Sequence, residues 1–320
     1  MAVDVGGTTI KGGLVGRDGT LLYVERRATP RAEGPERVIA AISAFVTDLS
    51  RPRRVGTSAE PVELSPVAVG LAVPGLVTAT HAVFSAAFGW RDVPMEAFTQ
   101  VSLPVALGHD VRSAGEAELA YGSGTGTDAD VRTGSTTSSG TPSSSGVGAG
   151  DVLYLPIGTG IAGAVVLSGS LYGGAAGWAG QIGHIPVWPD GVLCGCGQRG
   201  CLAAYASASA IAARCGEDSA ADVVARVATG DVQATEVWNE AVEALALALA
   251  TYTLLLDPAL VVIGGGLSLA GDVLIEPLCD RLSALLTFRH PPALRVSALG
   301  VHAGLMGAGL LGWRAQEARP

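Results

Sequence analysis

Lysine is nearly missing from this chain: of its 20 basic residues one is lysine, Lys11, and the other 19 are arginine. Charge of either sign is scarce, at 15% of residues against about a quarter in ordinary globular proteins. The formal net charge is −9, with no basic patch along the chain, a balance that speaks against a nucleic-acid backbone or an anionic lipid surface as partner. Five cysteines in 320 residues are too few for a disulfide scaffold, and a reducing cytoplasm is the expected compartment. Long apolar runs are also lacking. The longest, residues 244–256, is interrupted by Thr251 and Thr253 and falls short of the roughly 18 residues of a membrane span, so it reads as a buried helix. No signal peptide is expected, because Asp4 and a glycine-rich turn follow Met1 at once.

Glycine and apolar residues are what the chain has in quantity, with 45 glycines and a hydrophobic share of 48%. The length suffices for one large or two medium domains with a substantial core. Residues 1–5 and 10–15 read as strands around the turn Gly6-Gly7-Thr8-Thr9, and residues 21–27 as a third strand after a turn at Arg17-Asp18-Gly19. A helix is predicted over 35–49, a polar loop over 51–60, a buried strand over 67–73 ended by Pro74-Gly75, a strand over 101–107 and a helix from about 111 to 121. Beyond a Gly/Ser/Thr-rich stretch the opening theme recurs: strand 151–157, turn Gly158-Thr159-Gly160, strand 162–167 and turn Ser168-Gly169-Ser170. A long helix over about 237–256 and a strand over 260–263 then lead to Gly264-Gly265-Gly266, and a last helical stretch holds Gly304, Gly307 and Gly309. The recurrence predicts a duplicated α/β fold, two related lobes facing each other across a cleft. The expected division is 1–121 as an N-terminal lobe, 122–150 as a flexible insertion and 151–320 as a C-terminal lobe.

Three glycine turns, each after an apolar strand, expose backbone N–H groups to which a phosphate could come close. A tight hairpin needs glycine anyway, so their number and their spread over two lobes carry the argument. None has the spacing of a P-loop or of a dinucleotide fingerprint. Cys194, Cys196 and Cys201 fall within eight residues, with His184 ten residues upstream. Three thiolates and an imidazole complete a tetrahedral zinc site with no open position, hence a structural one. Free loop cysteines or a redox pair would be the alternatives. Cys215 and Cys279 stand apart and read as small buried hydrophobes. Asp110 lies between a strand and a helix, where the local sequence suits a helix N-cap and where a general base for a hydroxyl could also stand.

These motifs resemble those of the ROK family of sugar kinases and related repressors, within the actin-like and hexokinase-like ATPase superfamily. The resemblance runs over nearly the whole chain. Asp4-Val5-Gly6-Gly7-Thr8-Thr9-Ile10-Lys11 is similar to the family's first phosphate motif, Gly158-Thr159-Gly160-Ile161-Ala162-Gly163 to its second, and Asp257-Pro258 through Gly264-Gly265-Gly266 to its adenosine motif. Cys-Gly-Cys-Gly-x-x-Gly-Cys with the preceding Gly183-His184 resembles its zinc signature. The resemblance implies two ribonuclease-H-like lobes, ATP as phosphoryl donor, Mg²⁺ on its β- and γ-phosphates held through Asp4, structural Zn²⁺ bracing the substrate pocket, and Asp110 as the base on a primary hydroxyl. It further implies Gly75, His109, Asp110, Gln181 and His184 as substrate-binding residues and a homodimer as the assembly.

The chain departs from the family pattern around the acceptor. His109 stands where glucose-phosphorylating members have Asn, Gln181 where they have the Glu of Glu-x-Gly-His, Ala203 where a sugar-binding Glu follows the zinc motif, and Ala87 where an Asn precedes Trp90. A hydrogen bond to a charged acceptor is worth roughly 1.5–3 kcal/mol, so two lost carboxylates would weaken glucose binding by about 3–6 kcal/mol, roughly a hundredfold to ten-thousandfold. The expectation is a kinase for a hexose-like molecule that is not glucose, such as an amino sugar or a C7 cyclitol. An ordinary glucokinase with a rearranged pocket and a non-catalytic sugar sensor are the alternatives. A repressor would carry a helix-turn-helix ahead of the first phosphate motif, which here begins at residue 4.

Overall fold

Three strands open the chain as a meander: β1 (Ala2–Val5), β2 (Thr9–Val15) and β3 (Leu21–Ala28), paired antiparallel with Asp4 opposite Lys11 and Lys11 opposite Arg26. The computed structural model of the protein describes residues 1–57, 60–122, 131–132 and 150–318. Helix α1 (Pro35–Leu49) occupies the span predicted for it, with Pro at its first position and Val38, Ile42, Phe45, Val46 and Leu49 buried on one face. The expected polar loop after it is instead a two-stranded hairpin, β4 (Arg53–Thr57) with β5 (Glu60–Leu64). Its strands are rich in Arg and Glu and therefore lack the apolar alternation by which strands are recognised. Then come β6 (Val69–Val73), the three-stranded sheet of β7 (Leu76–Val77), β8 (His81–Ser85) and β9 (Trp90–Pro94), the short α2 (Met95–Phe98), β10 (Val105–His109) and α3 (Asp110–Tyr121). The 122–150 segment lies outside the described residues except for Gly122, Gly150 and β11 (Val131–Arg132).

The second half repeats the opening. Strands β12 (Val152–Pro156), β13 (Ala164–Leu167) and β14 (Ser170–Leu171) form an antiparallel meander with Ser168 and Gly169 both at positive φ in the last turn. Four helices follow, α4 (Ala203–Ala206), α5 (Ala208–Cys215), α6 (Ala220–Ala228) and α7 (Val232–Leu256). The side chains of Ser207, Ser219 and Asp231 cap the last three of these. Helix α7 starts five residues before its predicted onset because Asp231 accepts the Ala234 N–H. Among the described helices it is long and apolar enough to cross a membrane by length and composition, yet 56% of its most apolar window is buried and it forms the centre of a core. Strand β15 (Leu260–Gly264), α8 (Asp272–Leu285), β16 (Ala293–Val296) and α9 (Ala303–Glu317) complete the chain.

The two larger sheets share one five-strand topology. In the first sheet the order is β3-β2-β1-β6-β10, with β1, β6 and β10 mutually parallel. In the second it is β14-β13-β12-β15-β16, with β12, β15 and β16 parallel, and β11 added antiparallel at the far edge. This is the predicted duplication, seen in hydrogen-bond register. The chain divides into two compact units, one of residues Met1–Tyr121, Ala175–Trp178 and His302–Pro320, the other of Gly122–Gly174 and Ala179–Val301. The units differ from the expected lobes in the last helix, which belongs to the first. Glycine makes that packing close: a Cβ on Gly70 of β6 would sit 1.7 Å from the Ala308 carbonyl oxygen of α9.

Candidate functional site

In the first unit, the turn between β1 and β2 is closed by the Gly6 N–H donating to the Thr9 carbonyl at 3.0 Å, and the Thr29 hydroxyl donates to the Gly6 carbonyl at 2.8 Å. Gly7 and Thr8 form its tip. Asp4 and Lys11 face each other across the register and pair at 3.4 Å. The Asp4 carboxylate is buried, and α9 covers it: a Cβ on Gly304, in the first turn of that helix, would lie 2.4 Å from Oδ2. The carboxylate therefore sits at the positive end of a 15-residue helix. Burial raises the Asp4 pKa above the ordinary carboxylate value; Lys11 pulls it down, and the charge of Asp110 pushes it up. Asp4 and Asp110, 106 residues apart in sequence, are thus brought within each other's field. His302, just ahead of α9, is held below the usual imidazole range by burial and by the positive charges of Arg26 and Lys11.

Asp110 is the first residue of α3, directly after β10. Its Oδ1 accepts the Val111 N–H at 2.7 Å. The N-cap reading of the local sequence fits this bond in part, but the capping position proper belongs to His109, whose Nδ1 accepts the Arg112 N–H at 3.3 Å. The His109 ring is mostly buried, and burial lowers its pKa, with Arg112 adding to the lowering and Asp110 opposing it. Gly75 turns the chain after β6 at φ +111°, and its Cα is pressed against β8, where a Cβ would meet the Phe84 carbonyl oxygen at 2.0 Å. Arg112 donates to the Gly177 carbonyl at 2.7 Å and ties the strap Ala175–Trp178 to α3. The sequence singled out Gly304, with Gly307 and Gly309, as glycines of the last helical stretch, and α9 packs closely at all three; Arg112 it did not mark, since its partner Gly177 lies 65 residues away.

In the second unit, the turns Gly158-Thr159-Gly160 and Gly264-Gly265-Gly266 lie side by side at the carboxyl ends of the parallel pair β12 and β15, where Pro156 is opposite Gly264. The Ile157 N–H donates to the Gly264 carbonyl at 2.9 Å, and the Leu267 N–H to the Ile157 carbonyl at 3.0 Å. The Ser209 hydroxyl and the Ala208 N–H, at the start of α5, hold the Thr159 and Gly158 carbonyls at 2.6 and 2.8 Å. A Cβ on Gly158, Gly160 or Gly266 would meet nothing within 4 Å. These are open backbone cradles of the kind that admits a phosphate or a nucleoside.

Gln181 precedes a short 3-10 turn, Ile182–His184, and from that turn His184 reaches three cysteines. The ligating atoms of His184, Cys194, Cys196 and Cys201 all lie within 4.8 Å of one another. His184 Nδ1 is 3.8 Å from the Cys194 sulfur, and the Cys196 and Cys201 sulfurs are 3.7 Å apart. The edge of a tetrahedron with Zn–S bonds of about 2.3 Å is about 3.8 Å, so both donor chemistry and spacing fit a four-coordinate dication. Burial and the neighbouring thiols push the Cys201 thiol up to about 12, a cost that a bound dication reverses by taking the thiolate. Cys215 is buried and Cys279 packs against the same core, as small hydrophobes do.

The sequence profile of the ROK family matches residues 1–141 and 143–314. A glucokinase of Thermotoga maritima is 31% identical over 334 residues, spanning 96% of this chain and 95% of that protein. An N-acetylmannosamine kinase of Escherichia fergusonii is 30% identical over 321 residues and 97% of each chain. Among solved structures, a ROK family glucokinase from Streptomyces griseus, in complex with glucose and AMPPNP, superposes with a TM-score of 0.78 at 27% identity over 98% of each chain.

Proposed function

Because the chain belongs to the ROK family, we propose that it is an ATP-dependent sugar kinase acting on the primary hydroxyl of a hexose-like acceptor other than glucose, such as an amino sugar or a C7 cyclitol. The observation that carries the reaction is the Asp110 carboxylate. Among the described residues its contacts, with the Val111 N–H and the His109 ring, both fall on Oδ1. Oδ2 is left to take the proton of an attacking hydroxyl. The hydroxyl oxygen forms its bond to the γ-phosphorus as the bond to the β-bridging oxygen breaks and ADP departs. Positioning and charge neutralisation supply most of the rate.

The turns at Gly158, Thr159 and Gly160 and at Gly264, Gly265 and Gly266 are assigned to the nucleotide, and Asp4, Gly6, Gly7, Thr8, Thr9 and Lys11 to its phosphates and to Mg²⁺. One or two carboxylates together with substrate phosphates are the usual holders of that ion, and Asp4 with Asp110 nearby fits this pattern. Zn²⁺ on His184, Cys194, Cys196 and Cys201 has all four positions filled by protein, so its part is to fix the segment that carries Gln181 and Ala203. Gly75, His109, Gln181 and His184 are assigned to the acceptor side.

Glucokinase and N-acetylmannosamine kinase relatives support a sugar acceptor, and the departures at Ala87, His109, Gln181 and Ala203 favour one with a different hydroxyl pattern. Gln181 both donates and accepts, and Ala203 leaves space or an apolar wall. A coupled ADP-release assay with Mg·ATP against glucose, mannose, N-acetylmannosamine, 3-amino-3-deoxyglucose and a C7 cyclitol ketone tests the reading, with Asp110→Asn as control. Turnover with a non-glucose acceptor, reduced about 10²–10⁴-fold in the control, is expected. The glucokinase names among the relatives favour a second reading, ordinary glucose phosphorylation, and a glucose efficiency matching those enzymes would replace ours.

A further inference from the structure

The first turn of α3 holds two side-chain acceptors and two backbone donors. Val111 N–H points at Asp110 Oδ1 at 2.7 Å and Arg112 N–H points at His109 Nδ1 at 3.3 Å, while Nδ1 and Oδ1 are themselves 3.3 Å apart. The early N–H groups of a helix have no carbonyl partner within it. A proton on Nδ1, fixed in the ring plane, would face the Arg112 N–H, one donor against another. If Nδ1 is bare, both donors are satisfied and the ring proton resides on Nε2. The backbone around this turn is fixed independently: the Ser113 hydroxyl donates to the His109 carbonyl at 2.8 Å, and a Cβ on Gly307 of α9 would stand 2.1 Å from the Ser113 carbonyl oxygen.

We infer that His109 is a positioning residue, which caps α3 through a bare Nδ1 and thereby keeps Asp110 Oδ1 on the Val111 N–H with Oδ2 turned to the substrate hydroxyl. The inference rests on the reading of Asp110 as the base. It adds to the assignment of His109 to the acceptor side: Nδ1 is spent on the backbone, and Nε2 carries the ring proton. Burial of the ring, which favours its neutral form, is consistent with this. Any side chain with a short acceptor at this position can do the same work, and an apolar one of equal bulk cannot.

Two measurements test it. Long-range ¹H–¹⁵N spectra of the labelled full chain report the tautomer of each of the five histidines, with His109→Asn used to assign the His109 signal. An unprotonated Nδ1 and protonated Nε2 are expected; a protonated Nδ1 overturns the inference. Turnover is then measured in His109→Leu and His109→Asn with Mg·ATP and whichever acceptor of the panel above wild type phosphorylates fastest. His109→Leu should lose about tenfold in kcat with the KM for ATP within about twofold, and His109→Asn should restore kcat to within about threefold of wild type. Equal loss in both variants, or none in either, overturns it. If His109→Leu does not fold, His109→Asn and the tautomer decide. If Asp110→Asn keeps its turnover, the base reading has failed, and the tautomer still reports whether His109 caps the helix.

Discussion

In the first unit the central strand enters its glycine turn with Asp4, paired to Lys11 at 3.4 Å and covered by the first turn of α9. In the second unit the same place, two residues ahead of the turn, holds Pro156, and the turn beyond it is bare backbone with open space over Gly158 and Gly160. Strand order and directions are shared. One topology thus serves two electrostatic purposes: a charged, tightly covered end beside Asp110, and an uncharged cradle of N–H groups. Duplication conserves the sheet, because strand pairing follows from apolar runs and hairpin turns, whereas charge is a property of single side chains and diverges freely.

Replacing the charge should have the largest effect. Asp4→Asn is expected to lower turnover about a hundredfold or more, since the proposed reading gives this carboxylate to the transferred phosphoryl group and its metal. The same variant should be more stable than wild type at pH 7. Burial raises the folded-state pKa of Asp4, so the chain is stabilised by its protonated form below the ordinary carboxylate pKa and loses that stability as pH rises through the folded value. Melting curves of the two proteins should differ by about 2–4 °C at neutral pH for each kcal/mol of relief and converge in acid. A lower melting temperature for Asp4→Asn at pH 7 would refute the account of its burial.

Next in size, Cys201→Ser removes one of four donors from the second unit only. Hydrogen exchange should rise across residues 184–206 and stay as in wild type around the β1–β2 turn, and zinc content by metal analysis should fall. Unchanged zinc and protection would remove the metal from the reading.

The two turns can then be set against each other by one methyl group. Gly6→Ala brings a Cβ to 2.9 Å from the Thr9 carbonyl oxygen and should cost about 1–3 kcal/mol of stability in denaturant titration. Gly158→Ala meets no protein atom within 4 Å, so stability should hold while the KM for ATP rises about tenfold, as a methyl enters the space reserved for the ligand. Loss of stability in Gly158→Ala with ATP binding intact would invert the assignment. The smallest effect is expected from Gln181→Glu, which should raise the efficiency with glucose by about tenfold, one charged hydrogen bond's worth, with stability unaltered.

Much of this was readable in advance. The span of α1, the hairpin turns of both halves, the repeat of the opening motif and the His184–Cys201 donor set depend on neighbours a few residues away, and composition reveals them. The β4–β5 hairpin escaped because its strands are charged, and α4 to α6 escaped because they are only four, eight and nine residues long, too short for a sustained helical period. Arg112 and Gly177 meet across 65 residues of chain, a separation at which no local pattern survives; Gly304 stood out as a helix glycine, but its contact with Asp4, 300 residues away, did not.

The sequence by itself determined which chemical groups are available: two related meanders with glycine turns, one lysine beside the first of them, a carboxylate at a strand-to-helix junction, and four donors suited to a tetrahedral dication. Tertiary structure decided how those groups are presented. It laid α9 on the first unit so that a helix terminus covers Asp4, set the His109 ring against the first turn of α3, and placed the described contacts of Asp110 on one carboxylate oxygen. The reason is that hydrogen-bond geometry and burial belong to three-dimensional neighbours, which close packing of glycine faces brings together and which sequence order does not encode directly.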